Sequence, residues 1–360
     1  MNSDKSTFAI ERHDMSNDKS LRAWSAVDEL ILETFDSLEQ KPYRTAIYHD
    51  RFGYLGCRLH AFSPALILTQ KSQENAIALN LQGLKLTPLE TSDPLSDLAK
   101  PMSLAVVKIP KSLDLFELFL RHISKNSTDD MTVICGFMTR HFSSRMLQIA
   151  GEYFDGVEQS KAKKKARLIY LTRKKSTPPK EMIRSLTYKE REYKQYVGVF
   201  SGDHIDYATQ FFLEHIEVRN TEQCILDLGS GNGIIGAEIA RRYPDAEMHL
   251  LDDTYLAVES AKMNISGEKI HHHWNHNLSI FEEQTFDVIV TNPPFHFEYE
   301  INIHIPISLF KESQRCLKPG GNLQLVASKH LNYKVHLEPL FSSVLTIAED
   351  KKFVVYKCIK

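Results

Sequence analysis

The stretch from Cys224 to Gly236 constrains this chain more than any other. Its residues run Cys-Ile-Leu-Asp-Leu-Gly-Ser-Gly-Asn-Gly-Ile-Ile-Gly. An apolar run ends in Asp227, three glycines alternate at 229, 231 and 233, and a new apolar period continues through Ile239. This pattern reads as a buried strand, a tight turn and the first turn of a helix. Glycines suit a backbone that must bend sharply and let a ligand approach where a Cβ would stand in the way. The free N–H groups of the following helix would face that ligand.

The surrounding chain sets this unit in an α/β context. Short apolar runs at Thr45–Tyr48, Leu66–Leu68, Leu104–Lys108 and Thr132–Gly136 read as strands. A helical period precedes them at Leu21–Leu38, and others alternate with them around Gln73–Leu81, Leu113–Ser124 and Phe142–Phe154. Such alternation predicts a parallel sheet covered on both faces. Residues 1–20 are polar and are expected to fray. Ser176-Thr-Pro-Pro-Lys180 reads as a linker, the tyrosine-rich stretch up to Tyr196 as a hairpin, and Phe211–Ile216 as a helix. At 360 residues the chain is long enough for about two domains, which we expect at 1–180 and 181–360.

The two halves match each other at a nearly constant offset. Ile47–Gly53 sits against Ile225–Gly231, Asn80–Gly83 against Asn264–Gly267, and Ala105–Pro110 against Val288–Pro293. Arg140-His141 sits against Lys329-His330, and Lys164–Tyr170 against Lys351–Lys357. We read a duplicated domain. The first copy has Arg51 opposite Gly229, Leu68-Thr69 opposite Asp252-Asp253 and Ile109 opposite Asn292. The chemistry is therefore expected in residues 197–360, with the first half a binding or scaffold domain.

Asp252 ends the apolar run Met248–Leu251, which reads as the second strand. A carboxylate there can accept both hydroxyls of a ribose, as in nicotinamide enzymes and in others. What decides between these cofactors is Asp287-Val-Ile-Val-Thr-Asn-Pro-Pro-Phe295, an apolar strand ending in Asn292, Pro293, Pro294 and Phe295. Hydride transfer has no need of this motif, whereas methylation of an amine does. The target NH₂ must turn out of conjugation, and two acceptors, the Asn292 side chain and the Pro293 carbonyl, can hold its hydrogens. The prolines stiffen the loop, and Phe295 can stack on a flat substrate.

Asn275, His276 and Asn277 follow the third strand, Ile270–Trp274, where polar groups would meet an adenine. The histidines at 271, 272, 273 and 276 invite a metal reading. It is disfavoured because neighbours on a strand point to opposite faces and no Cys or second His pair sits at ligand spacing. The expectation is no metal.

These motifs together resemble class I S-adenosylmethionine-dependent methyltransferases, and most closely the RsmC/RlmG group of bacterial ribosomal RNA guanine-N2 methyltransferases. The resemblance also rests on Lys-Lys-Ala-Arg-Leu at 164–168, Gly-Val-Phe-Ser at 198–201, Asn-Pro-Pro-Phe-His at 292–296 and Arg-Cys-Leu-Lys at 315–318. Ile-Pro-Lys at 109–111 and Phe-Val-Val at 353–355 look more like the large-subunit branch. Ser230 departs from the Cys common at that position, and it is small enough for the loop to survive. The resemblance implies two tandem Rossmann-like class I methyltransferase domains, the first degenerate. It implies transfer of a methyl group from S-adenosylmethionine to N2 of a 23S rRNA guanine. Asp227, Gly229, Gly231, Asp252, Asp253, His276 and Asn292 would then bind the cofactor, and Asn292, Pro293 and Phe295 would form the catalytic loop. Phe200 and Ser201 would close over the methionine end.

Residues 161–175 carry eight positive charges and no acid. Lys163, Lys164, Lys165 and Arg167 make a candidate phosphate-contacting patch, with a lysine-protected edge strand as the competing reading. A formal net charge of −2 means RNA binding must be local. The five dispersed cysteines form no Cys-x-x-Cys pair. They fit a reducing cytoplasm, and no segment reads as a signal peptide or a membrane span. The chain is expected to act as a cytoplasmic monomer on ribosomal RNA. Other readings of the same motifs are a 16S rRNA guanine, a protein glutamine or a DNA adenine as substrate, a nicotinamide enzyme, and an assembly factor that binds RNA without catalysis.

Overall fold

A computed structural model describes residues 10–13, 21–176, 180–293, 296–297, 300–301 and 303–360. Most of the polar start, the middle of the Ser176–Lys180 linker, Pro294 and Phe295 therefore lie outside the described residues. The chain divides into two compact units, Met1–Glu181 and Met182–Lys360.

The first unit opens with α1 (Ala26–Asp36). It starts later than its apolar period because Ser25 and Asp28 form a capping box. Val27, Ile31 and Phe35 then bury one face. There follow β1 (Thr45–Tyr48), α2 (Tyr54–Arg58), β2 (Ala65–Ile67), α3 (Lys71–Gly83), β3 (Thr91–Ser92) and β4 (Met102–Lys108). The unit closes with α4 (Leu113–Lys125), β5 (Ser127–Met138), α5 (Ser144–Tyr153), β6 (Phe154–Gln159) and β7 (Ala166–Lys174). Its seven strands lie in the order β3-β2-β1-β4-β5-β7-β6.

The second unit begins with the hairpin β8 (Ile183–Tyr188) and β9 (Arg191–Tyr196), paired antiparallel as its sequence predicts. Then come α6 (Tyr207–His215), β10 (Cys224–Leu228), α7 (Ile234–Arg242), β11 (Glu247–Asp252), α8 (Tyr255–Asn264), β12 (Ile270–Trp274) and β13 (Phe286–Thr291). The short pair β14 (His296–Phe297) and β15 (Glu300–Ile301) precedes α9 (His304–Cys316), β16 (Leu317–Ser328), α10 (Lys334–Leu337), β17 (Ser343–Glu349) and β18 (Phe353–Ile359). The sheet order is β12-β11-β10-β13-β16-β18-β17. Alternation along β10 sends Ile225 into one core layer with Met248, Leu250 and Val288. Leu226 and Leu228 enter the other, with Leu251, Ile289 and Phe310. Each such side chain contributes roughly 1.5–3 kcal/mol, which holds the register.

Two expectations are corrected. The sheets are mixed rather than parallel, because β7 and β18 run antiparallel to both of their neighbours. The connections β6–β7 and β17–β18 are tight turns, which only antiparallel strands allow. The match of Gly53 to Gly231 is also shifted. Gly53 instead plays the part of Gly233: each precedes a helix with left-handed φ, 77° and 79°. Asn80 Nδ2 donates to the Phe52 carbonyl just as Asn264 Nδ2 donates to that of Asn232. Asp227 accepts the N–H of Gly236 nine residues on, whereas Asp50 accepts that of Gly56 only six residues on. The first unit's turn is three residues shorter.

Candidate active site

The second unit gathers its polar residues at the C-terminal ends of β10, β11, β12 and β13. In an open α/β sheet this is the ligand edge, and the switch in strand order falls between β10 and β13. Gly229, Gly231 and Gly233 have φ of 71°, 55° and 79°, all left-handed. A Cβ on Gly233 would meet that of Ala261 at 2.9 Å, so this glycine lets α8 approach. A Cβ on Gly231 would meet nothing within 4 Å, so this glycine leaves the front of the turn open.

Asp227 is buried and braces the turn by accepting the Gly236 N–H at 2.8 Å. Its other oxygen has no partner among the described residues, and neither does the buried Ser230 Oγ. Burial pushes the Asp227 carboxyl up to about 7, against the Gly236 N–H and with some help from the charge of Asp252. Asp252 accepts from Gly231 N at 2.9 Å and from Thr254 N at 2.7 Å. Burial raises it to about 6 in spite of these bonds. Each of its oxygens keeps a lone pair for a further donor. Asp253 is held beside it, its carbonyl accepting from Trp274 Nε1 at 2.7 Å. Asn275 N donates to the Asp252 carbonyl at 3.1 Å, which brings the half-buried His276 to the same edge.

Asn292 leaves the end of β13 with its amide held. Nδ2 lies 3.0 Å from Thr209 Oγ1 and 3.2 Å from Asp206 Oδ2. A carboxylate only accepts, so this partner fixes which end of the amide is nitrogen. The carbonyl Oδ1 is left as an acceptor. Pro293, next in the chain, is buried. Phe295 lies outside the described residues. Asp206 and Thr209 escaped the sequence reading. The available signal was local: Asp206 caps α6 and accepts the Thr209 N–H at 3.1 Å.

A second network secures the turn from the hairpin side. Asn232 Nδ2 donates to Gln195 Oε1 at 2.9 Å, and Gln195 Nε2 donates to the Ser201 carbonyl at 3.2 Å. Ser201 adopts a φ of 61° and its hydroxyl donates to the His204 carbonyl. Phe200 beside it is 70% exposed.

The basic run of the first unit is less free than its sequence implies. Lys163 pairs with Glu33, Lys164 with Glu29 at 2.9 Å, Lys174 with Asp129 and Lys175 with Asp155. Arg167 donates to Gln159 at 3.3 Å, and Lys165 is exposed. Phosphates would have to compete with the α1 glutamates for two of the four chosen cations.

A family model for the methyltransferase small domain matches residues 190–357, and one for the RLMG N-terminal domain matches residues 1–176. The ribosomal RNA large subunit methyltransferase G of Yersinia enterocolitica is 31% identical over 98% of this chain and 92% of its own length. The chain belongs to the ribosomal RNA large subunit methyltransferase G family. The family member from Psychromonas ingrahamii is 29% identical, over 98% of this chain and 97% of its own. Among solved structures, the T. thermophilus 16S rRNA N2 G1207 methyltransferase (RsmC) in complex with AdoMet and guanosine matches with a TM-score of 0.78. That match is 21% identical and covers 93% of this chain and 92% of that one, so it establishes a shared methyltransferase fold. Within this family fold, the glycine turn and Asn292 occupy one continuous edge of the second sheet.

Proposed function

We propose that this protein methylates the exocyclic N2 amine of a guanine in large-subunit (23S) ribosomal RNA, using S-adenosylmethionine. The observation that carries the reading is the orientation of Asn292, whose amide nitrogen is committed to Asp206 and Thr209. Its carbonyl can therefore only accept, as a target NH₂ requires. Membership of the large subunit methyltransferase G family supports the substrate class.

The residues fit the cofactor. The open face of Gly231, the partnerless Asp227 and Ser230 oxygens, and the remaining lone pairs of Asp252 make a cradle for a polar, flat ligand. Asp252 would take the ribose hydroxyls, Gly229 and Gly231 would admit the chain beyond them, and Asp253 and His276 would border the adenine. When bound, S-adenosylmethionine supplies an electrophilic methyl group. Asn292 and the Pro293 carbonyl would hold the two hydrogens of the guanine amine. That turns its lone pair out of the ring system and sets a near-attack orientation. Phe295 would stack on the base.

We further read the first unit, residues 1–180, as a degenerate methyltransferase domain that binds RNA, and 181–360 as the catalytic domain. The shared strand order and the three-residue shortening of the first turn support this reading. Lys163, Lys164, Lys165 and Arg167 would contact phosphates. The enzyme would act as a monomer in the cytoplasm, where its five free thiols stay reduced.

Nucleoside mass spectrometry of rRNA from cells lacking this protein tests the reading. One N2-methylguanosine should disappear from 23S rRNA and return with the wild-type protein but not with Asn292→Ala. Unchanged 23S rRNA would overturn it.

A further inference from the structure

The histidines of β12 look unsuited to a metal in one dimension, yet the sheet register regroups them. His272 points away and meets the Ile265 carbonyl at 3.0 Å. His271 and His273 share the opposite face. Parallel pairing sets His271 beside His249, and Glu247 beside Cys224. Two-residue alternation then places Cys224, Glu247, His249, His271 and His273 on one face. One ligand atom each from Cys224, Glu247 and His249 lies within 4.8 Å of the others. Glu247 Oε1 is 3.4 Å from His249 Nε2 and 2.9 Å from His271 Nε2.

We propose that Cys224, Glu247, His249 and His271 form a binding site for a divalent transition metal of the zinc class. The donors are one thiolate, one carboxylate and two imidazoles, a set that suits a borderline ion. Around a tetrahedral zinc, ligand atoms stand roughly 3.3–3.7 Å apart, so Cys224, Glu247 and His249 need only small side-chain rotations. His271, held at Glu247 and two strands from Cys224, must swing further to complete the set. Glu247 is half exposed. The thiol proton leaves to solvent on binding. Thiolate and carboxylate then balance the dication, and both imidazoles stay neutral. His249 Nδ1 lies 3.0 Å from His273 Nε2. Donating that N–H to His273 turns the Nε2 lone pair of His249 toward Glu247, and the bond to His273 holds the ring orientation, as an outer partner does for a metal-bound histidine.

The site lies at the N-terminal end of β10 and β11, roughly 13 Å of strand from the glycine turn. It is therefore a clip rather than part of the reacting centre. It would tie the edge strand β12, which carries Trp274, Asn275 and His276 to the cofactor edge, to β11 and β10.

The test uses the full, tag-free, reduced chain after chelator treatment, titrated with Co²⁺ as a spectroscopic probe. One equivalent should give tetrahedral visible bands with a thiolate-to-cobalt charge-transfer band. Zn²⁺ should abolish both and raise Tm by about 3 °C. Cys224→Ser should lose the charge-transfer band. His249→Ala and Glu247→Gln should weaken binding by about tenfold or more. Absence of the bands, or equal binding by Glu247→Gln, would overturn the proposal. Glu247 is exposed enough that its variant decides the matter even where Cys224→Ser fails to fold. None of these readouts depends on methyl transfer.

Discussion

Thr209 and Asn292 meet across 83 residues of sequence, Oγ1 to Nδ2 at 3.0 Å. The hydroxyl sits in the first turn of α6, and Asp206 at the cap of that helix holds the same amide. Two groups on one helix therefore decide which way the Asn292 amide faces.

Removing one of those groups should loosen the amide without touching the cofactor. Thr209→Val is expected to lower kcat by about tenfold or more, since small misplacements of a reacting group are costly. KM for S-adenosylmethionine should stay within about twofold, and Thr209→Ser should restore the rate. Steady-state methylation assays on rRNA check this. An unchanged kcat for the valine variant would show that Asp206 alone suffices.

Gly231 and Gly233 should fail in different ways. Gly233→Ala forces a left-handed φ and a 2.9 Å contact with Ala261. We expect about 2 kcal/mol or more lost in urea unfolding. Gly231→Ala meets open space, so it should cost about 1 kcal/mol of strain, while its methyl blocks the cradle. Calorimetry should then find S-adenosylmethionine affinity reduced by about tenfold or more in a folded protein. Equal stability losses in the two variants would contradict the division.

Asp227 makes stability depend on pH. Its ordinary value is 3.8 and its folded value about 7, so the folded chain holds this proton more tightly than the unfolded chain. The corresponding stabilisation is fully present below 3.8 and is lost as pH rises through about 7. Asp227→Asn, which does not ionise, should lose less stability than wild type between about pH 4 and about pH 8. Urea midpoints across that range measure it, and parallel curves would rule it out.

In the first unit, Lys108 Nζ lies 2.7 Å from Asp28 Oδ1, and the Asp28 side chain is 0% exposed. Burial works against the lysine charge, yet Asp28 and Asp50 hold its pKa above the ordinary value. Lys108→Met leaves Asp28 buried without its cation and should cost about 3–5 kcal/mol. Adding Asp28→Leu should recover part of that loss in chemical denaturation, although the capping box goes with it. A double variant less stable than the single one would mean the pair is not coupled in this way.

Much of the site edge was readable because its signals are local. A strand ending in Asp227, a turn that needs left-handed backbone, and a proline-stiffened Asn292 each declare themselves within a few residues. The antiparallel strands β7 and β18 were hidden because their apolar runs look like any buried strand, and pairing direction is set by how tightly the neighbouring turn closes. Periodicity also overran α1 at its start, where the Ser25–Asp28 box cuts the helix short. Sequence matching misplaced Gly53 because three residues are missing from its turn, and the left-handed glycine before each helix together with the shared Asn80 and Asn264 bonds reveals the true correspondence.

By itself the sequence determined the α/β architecture, the glycine turn and the chemistry expected of Asn292, since residue type and short spacing fix backbone conformation and donor character. Tertiary structure alone decided what holds Asn292, that Lys163 and Lys164 face the glutamates of α1, and that His249 stands between Cys224 and His271. Those relationships join residues far apart in the chain. They arise only when parallel register and helix packing bring their side chains onto one face.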